Sequence, residues 1–431
     1  MTSASNRFTV NLIFALLLTF HVSSAQDVNN VKRIIGTLAS PGMYGRGYVN
    51  NGSPVAANFL ASEMERIGLK SFPGGFKQDF NVDVRTYPTK VVMSVNGKNL
   101  KPGYEFTVFT GSPSIKGAFK LIKIDSSSFM RNGSLKKMKK DLTSTFICYD
   151  PSLMKGKFKK MADSLLKNNF TNCAGFIHLS TKQSITWSVM SRGDILRYPV
   201  FTVLTSALPP LSNEVTVEVE LKQLNNYKIS NVIGYIPGTI VPDSFIVVTA
   251  HYDHIGMMGS EVYFPGANDN ASGTAMILDL AKHYMADTNK LACNIVFMAF
   301  AGEEIGLKGS EYYVEHPLFP LKNIKFLLNL DMVGTGSEGI TMVNADQFPA
   351  YYNLMVKINA DNEYLMKVAK RGESCNSDHC PFYKKGVPAV FIYSNGKEYL
   401  EYHNPNDKAE NLPLTEYSDI FRLIRDYINS L

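Results

Sequence analysis

Five short polar segments carry side chains that could hold metal ions and activate water. They are His251-Tyr252-Asp253, the loop Gly266-Ala267-Asn268-Asp269-Asn270-Ala271-Ser272-Gly273, Gly302-Glu303-Glu304, Asp331, and His403-Asn404-Pro405-Asn406-Asp407. Taken in order they offer His, Asp, Glu, Asp and His. Imidazole nitrogen and carboxylate oxygen without thiolate suit zinc or another borderline divalent ion. Five ligands exceed what one catalytic zinc takes, which is usually three protein ligands and a water. They suit two ions that share one bridging carboxylate, with a water between them. Asp269 is the natural bridge, because its glycine-bracketed loop lets backbone approach closely. Asp253, two residues after His251, is placed to accept that imidazole's other N–H and fix its tautomer. Glu303 and Glu304 are adjacent and point apart, so one can bind metal while the other faces the water. A metal lowers the pKa of bound water from ~15.7 to ~7, on the order of 12 kcal/mol of easier deprotonation. A free carboxylate can then take the proton and pass it to a leaving amine. This is a hydrolase arrangement.

Such residues need elements that deliver them to one place. Apolar runs predict strands at Asn231–Ile236, Ser244–Ala250, Asn294–Ala301, Ile324–Leu330 and Val387–Tyr393, with helices between them, including one from about Ala271 to Met285. Alternation of strand and helix predicts a largely parallel sheet covered on both faces. Ligand sites in such sheets lie outside the carboxyl ends of the strands. His251, Glu303-Glu304 and Asp331 each follow such an end. A closing helix carries Ile420, Leu423, Ile424, Tyr427 and Leu431 on one face. Near the start, Ser53 and Pro54 predict a capped helix ending at Gly68, followed by a strand at about Phe76 to Val84.

The stretch 86–227 differs in character. It holds short strands, turns and basic runs at Lys136, Lys137, Lys139, Lys140 and at Lys155, Lys157, Lys159, Lys160, which read as solvated faces. A strand–helix–strand unit is predicted from Phe146–Tyr149, Lys157–Leu166 and Ala174–Leu179, with a further strand at Pro199–Val203. No chemically suggestive cluster stands out there, and it reads as an inserted domain. The expected organisation is a signal peptide at 1–25, a first catalytic-domain segment at 26–85, the insert at 86–227 and the main catalytic portion at 228–431.

Composition fits a folded chain with a full core and does not itself say what the protein does. The chain has 431 residues, 45% hydrophobic and 19% charged, with a formal net charge of +6. That bias is too mild for a nucleic-acid binder, and the makeup excludes collagen, low complexity and a disulfide mini-scaffold. Arg7, the apolar stretch Val10–Phe20 and Ser23-Ser24-Ala25 form a signal-peptide pattern too short to span a membrane. The expected location is therefore periplasmic or extracellular, with no membrane span after cleavage. The cysteines Cys148, Cys173, Cys293, Cys375 and Cys380 are odd in number, so at least one is unpaired. Cys375 with Cys380, and Cys148 with Cys173, are the pairings that spacing suggests.

With these motifs in place the chain resembles metallopeptidase family 28, the co-catalytic zinc aminopeptidases of the aminopeptidase Y type. The resemblance covers about 28–84 and 228–431 and includes Leu38-Ala39-Ser40, Gly45-Arg46-Gly47 and Ser230-Asn231-Val232-Ile233-Gly234 beside the five segments. It implies a three-layer α/β/α exopeptidase domain with a mostly parallel mixed sheet. It implies two zinc ions per chain, one held by His251, Asp269 and Asp331, the other by Asp269, Glu304 and His403. Glu303 would be the general base and acid, and Asp253 the partner of His251. Asp378 and His379 match a family segment near the substrate. The insert resembles a smaller, β-rich protease-associated domain. Peptide substrates are the implied partners, with no implication for oligomeric state. Some members place a tyrosine just ahead of the Ser-Asp-His segment; here Ser374-Cys375-Asn376 stand there, and Tyr393 and Tyr402 are left as oxyanion donors. His254, His283 and His316 match nothing in the set and read as structural or surface residues.

The alternative on the same fold is a glutaminyl cyclase, a single-zinc acyltransferase that uses tryptophans around its substrate. The one tryptophan here, Trp187, lies in the insert. A non-catalytic relative would have lost ligands, and none is missing here.

Overall fold

The structure is a computed structural model that describes residues 26–130, 133, 135, 142–190, 195–209, 211–286 and 291–431. The signal-peptide pattern and the run Lys136 to Lys140 lie outside the described residues.

Two eight-stranded sheets organise the chain. In the first, the strands run in the order Lys77–Thr86, Lys222–Ile236, Cys293–Phe300, Val241–His251, Ile324–Leu330, Ala389–Ser394, Ile340–Val343 and Val368–Lys370. The four strands from Cys293–Phe300 through Ala389–Ser394 are mutually parallel. Antiparallel partners flank them on both sides, at Lys222–Ile236 and Ile340–Val343. Their apolar runs are buried on both faces. Ile246, Val248, Ile295, Phe297, Phe326 and Leu328 pack with helices Val28–Leu38, Gly52–Ile67, Gly273–Ala286 and Tyr417–Asn429. The alternate residues Phe245, Val247, Val296, Met298 and Leu327 pack on the other side with Tyr313 and Phe382, from helices Lys308–Glu315 and His379–Lys384. Period-two alternation thus sorts neighbouring side chains into two cores and makes three layers.

The second sheet is built from residues 91–219, in the order Lys98–Asn99, Val91–Val95, Glu214–Val219, Ile115–Lys123, Thr145–Tyr149, Gly175–Ser180, Val200–Leu204 and Phe106–Val108. Helix Lys157–Asn168 covers one face with Ala162 and Leu165. The chain leaves and re-enters the first sheet through paired antiparallel strands, Lys77 opposite Val232 through Thr86 opposite Lys222. The other face of this sheet, including Met93, Phe146 and Phe201, continues the core of the first unit.

Local departures have simple causes. The early helix starts at Gly52, after Asn51 in a left-handed conformation with φ 59°, and Ser53 does not cap it. The Ser53 N–H donates to the Gly47 carbonyl and its hydroxyl is buried 3.4 Å from that of Tyr252, so it is committed to packing. Gly68, at φ 93°, does terminate the helix. Cys375 and Cys380 form a disulfide. Cys148 and Cys173 are free and buried. They face the two opposite cores of their sheet, which rules out a bond between them.

Candidate metal centre

The parallel strands end at one edge, and the five polar segments meet there. The loop that carries Asp269 is held from several directions. Gly266 has φ +60°, and a Cβ there would lie 2.3 Å from the Asp269 carbonyl and 2.6 Å from Arg46 Nη2. Only glycine tolerates that approach. Arg46 is fully buried and donates to the carbonyls of Tyr252 at 2.6 Å, Leu38 at 2.8 Å, Pro265 at 2.6 Å, Gly266 at 2.7 Å and Asp269 at 3.3 Å. Asp407 accepts from the N–H groups of Asn268 at 2.8 Å and Asp269 at 3.1 Å.

So fixed, the Asp269 carboxylate lies between two groups of side chains. Its Oδ1 is 3.5 Å from His251 Nε2, and its Oδ2 is 3.0 Å from His403 Nε2. His251 Nε2 is also 3.3 Å from Asp331 Oδ1, and His403 Nε2 is 3.1 Å from Glu304 Oε2. Potential ligand atoms cluster as His251, Glu303 and Asp331 on one side and as His254, Asp269, Glu304 and His403 on the other. The five candidate ligands and Glu303 therefore converge.

Each imidazole is aimed by its other nitrogen. His251 Nδ1 donates to the Asp253 backbone carbonyl at 3.2 Å, while the Asp253 carboxylate stands 3.8 Å away. The expected carboxylate–imidazole bond is therefore replaced by a main-chain one. The Asp253 carboxylate instead accepts from the N–H groups of Glu303 at 3.1 Å and Glu304 at 3.4 Å, holding that loop. His403 Nδ1 donates to the Trp187 carbonyl at 2.9 Å. With Nδ1 so engaged, both imidazoles turn Nε2 toward the site. Asp331 is aimed by a relay: Thr249 donates to Asn329 at 2.7 Å, Asn329 to Ser377 at 2.8 Å, and Ser377 to Asp331 Oδ2 at 2.8 Å.

The site is rich in buried negative charge. Burial, with Glu304 and Asp378 adding to it and His251 opposing, pushes the Glu303 carboxyl well above its ordinary range. Burial, reinforced by Glu304, takes Asp253 up to about 7. Against the burial penalty, Glu304 and Asp269 raise His403 to about 11. Also against burial, His403 and His254 hold Glu304 well below the usual carboxylate range. His251 Nε2 and Asp331 Oδ1 are buried, face each other and have no hydrogen-bond partner. Leaving such groups unpaired costs about 1–3 kcal/mol each. A divalent cation satisfies both atoms and offsets the charge, so the residues fit the two-ion reading.

Three sequence expectations change. Asp378 and His379, expected near substrate, are fully buried. Asp378 accepts from Ser310 at 2.5 Å, His379 pairs with the Ser374 carbonyl at 2.8 Å, and burial lowers His379 to about 4. Their segment serves the site through Ser377 and Asn376 instead. His254, expected to be structural or superficial, is fully buried and donates from Nδ1 to Glu304 Oε1 at 2.7 Å. Its position three residues after His251 was the available signal. The insert, expected to hold no chemistry, supplies the Trp187 carbonyl; a backbone partner leaves no signal in residue type.

A cavity of about 360 Å³ opens over these groups, and its remaining walls are Met332, Arg371, Asn376, Phe391, Tyr393 and Tyr402. The Tyr402 ring stacks on His403 at 3.9 Å.

Known proteins resemble this chain in sequence and in fold. Residues 231–428 match the model of peptidase family M28. Aminopeptidase YwaD of Bacillus subtilis (strain 168) is 31% identical over 234 residues, which cover 51% of this chain and 48% of that protein. A probable leucine aminopeptidase of Arthroderma otae is 30% identical over 197 residues, covering 44% of this chain and 54% of that one. The chain thus spans about half the length of the curated relatives it matches. Among solved structures, BSAP, a zinc aminopeptidase from Bacillus subtilis, superposes with TM-score 0.67 at 22% identity, covering 94% of this chain and 95% of that one. The aminopeptidase from Aneurinibacillus sp. strain AM-1 gives 0.63 at 18% identity, with 95% of each chain covered. These likenesses establish the α/β exopeptidase fold. The part of this chain that is similar to peptidase family M28 is thus residues 231–428, which carry His251, Asp269, Glu303, Glu304, Asp331 and His403.

Proposed function

We propose that this protein is an exported, zinc-dependent exopeptidase that removes N-terminal residues from peptides. The observation that carries the reading is the Asp269 carboxylate, with one oxygen toward His251 and the other toward His403. His251, Asp269 and Asp331 hold one ion; Asp269, Glu304 and His403 hold the other. Bound zinc supplies a lowered water pKa and polarises the scissile carbonyl. Glu303, in the cavity and outside both sets of ligands, accepts the water's proton and delivers it to the departing amine. Tyr393 and Tyr402, both in the cavity wall, are the hydroxyl donors available to the developing oxyanion. Met332, Phe391 and the tyrosines form an apolar wall for the residue being removed. Trp187, which a cyclase would need at its substrate, packs instead against Phe264 at 5.1 Å with its Nε1 bonded to the Val108 carbonyl.

The test pairs zinc analysis of the purified protein with a panel of free and N-blocked peptides. The reading expects about two zinc ions per chain and release of the first residue from free peptides alone. Cleavage of blocked peptides, or ammonia release from N-terminal glutamine without chain shortening, overturns it. Mass spectrometry of the exported protein should place its first residue at Gln26. Among the described residues no helix is long and apolar enough to cross a membrane.

A further inference from the structure

The cavity is electrically lopsided. Asp269, Glu303, Glu304 and Asp331 crowd its floor, and Arg371 is the only lysine or arginine in its lining. The backbone of Arg371 is pinned: its N–H donates to the Met342 carbonyl at 2.9 Å and its carbonyl accepts from Ala345 at 3.1 Å. The following loop is tied by the Cys375–Cys380 disulfide and by the Ser374 N–H to Asn344 at 3.3 Å. The guanidinium, by contrast, reaches only the Ser374 hydroxyl, at 3.3 Å. Nearby acids are engaged elsewhere: Asp346 pairs with Lys370 at 3.0 Å, and Glu373 accepts from Tyr383 at 3.1 Å. Among the described residues Arg33, Arg66, Arg422 and Arg425 are paired with carboxylates, whereas Arg46, Arg85, Arg197 and Arg371 are not, and of these four only Arg371 lines the cavity. A guanidinium is a planar fork matched to a carboxylate. The cavity is also small, near the lower end of the ~300–1,000 Å³ range of ligand pockets.

We propose that Arg371 recognises a carboxylate on the leaving side of the substrate. The preferred substrates are then short peptides whose carboxylate lies one or two residues beyond the scissile bond. This rests on the exopeptidase reading above and adds substrate class to it. Two sources share the chemistry, a free C-terminus and an acidic side chain. They are separated by comparing Leu-Ala, Leu-Ala-amide and Leu-Asp-amide.

The experiment measures kcat and KM for these three peptides with the zinc-loaded wild type, Arg371→Met and Arg371→Lys. Leu-Ala is expected to exceed its amide in kcat/KM by about tenfold or more, mostly through KM. Arg371→Met should bring that ratio close to one, and Arg371→Lys should restore part of it. A Leu-Asp-amide value near that of Leu-Ala assigns the site to any nearby carboxylate; a value near that of the amide assigns it to the C-terminus. Equal use of Leu-Ala and its amide by the wild type, or a preference untouched by Arg371→Met, overturns the inference alone. Failure of the zinc-loaded wild type on all three peptides overturns the exopeptidase reading and this inference together.

Discussion

Trp187 and His403 are joined by two hydrogen bonds: the Trp187 N–H donates to the His403 carbonyl at 2.9 Å, and His403 Nδ1 donates to the Trp187 carbonyl at 2.9 Å. The first is main chain to main chain, and the second sets the tautomer of an imidazole that faces the acidic cluster. The Trp187 ring also rests on Phe264, five residues before Asp269. One segment of the insert therefore braces two of the loops that build the site.

Loosening that brace should weaken zinc binding. Trp187→Ala removes the ring from Phe264 and the Nε1 bond to Val108 while leaving the candidate ligands intact. The carbonyl that holds His403 stays in the chain, so the effect comes from a loosened segment and falls at the lower end of the ~10–100-fold cost of losing such a partner outright. Competition with a chelating dye should show a loss of about tenfold at one of two sites, with Trp187→Phe intermediate. Because Trp187 is the only tryptophan, its fluorescence in the wild type should change during the same titration.

His254 should matter to zinc although it lies outside both proposed ligand sets. Its Nδ1–H holds Glu304 Oε1, leaving Oε2 toward His403. His254→Ala frees that carboxylate to turn and should lower affinity at the Glu304–His403 side by about 10–100-fold. Isothermal titration should show one site weakened and the other little changed. Equal weakening of both would point to general misfolding of the loop.

Glu303→Gln should separate binding from turnover. The amide retains the shape but accepts no proton. Zinc content should stay at the wild-type level while kcat falls by about 10²-fold or more. Zinc analysis and aminopeptide hydrolysis on the same preparation check both halves.

Stability should carry a signature from a carboxyl group remote from this chemistry. Asp279, on helix Gly273–Ala286, is 3% exposed, and burial pushes its carboxyl from 3.8 up to about 6. The folded protein binds the proton more tightly than the unfolded chain does. Its contribution is thus fully present below pH 3.8 and is lost as pH rises through about 6. The difference corresponds to on the order of 3 kcal/mol. Asp279→Asn should raise stability at pH 7.5 by about 1–3 kcal/mol and leave it nearly unchanged at pH 4. Denaturant unfolding of both proteins at the two pH values measures this directly.

Much of the scaffold was legible because its signals are local. Ile324–Leu330 and Val241–His251 are apolar runs buried on both faces, and the polar residue that follows each necessarily emerges at the shared edge of a parallel sheet. His251, the Glu303-Glu304 pair and Asp331 could be picked out from order and type, while the choice of Glu304 as the metal-facing member came only from the family resemblance. Asp269 could be picked out too, since Gly266 and Gly273 announce a loop in close backbone contact. Tertiary structure decided what depends on distance along the chain. Arg46 reaches carbonyls more than 200 residues away, and Trp187 reaches His403 across 216. A carbonyl acceptor is the same atom in every residue, so no pattern of side chains can mark it. Burial was equally hidden: Asp378 and His379 have the chemistry of substrate contacts, yet packing turns Asp378 to Ser310 and His379 to the Ser374 carbonyl. Side-chain type and spacing determined which groups could do the chemistry. Only long-range packing decided which of them face the cavity and which main-chain atoms hold them there.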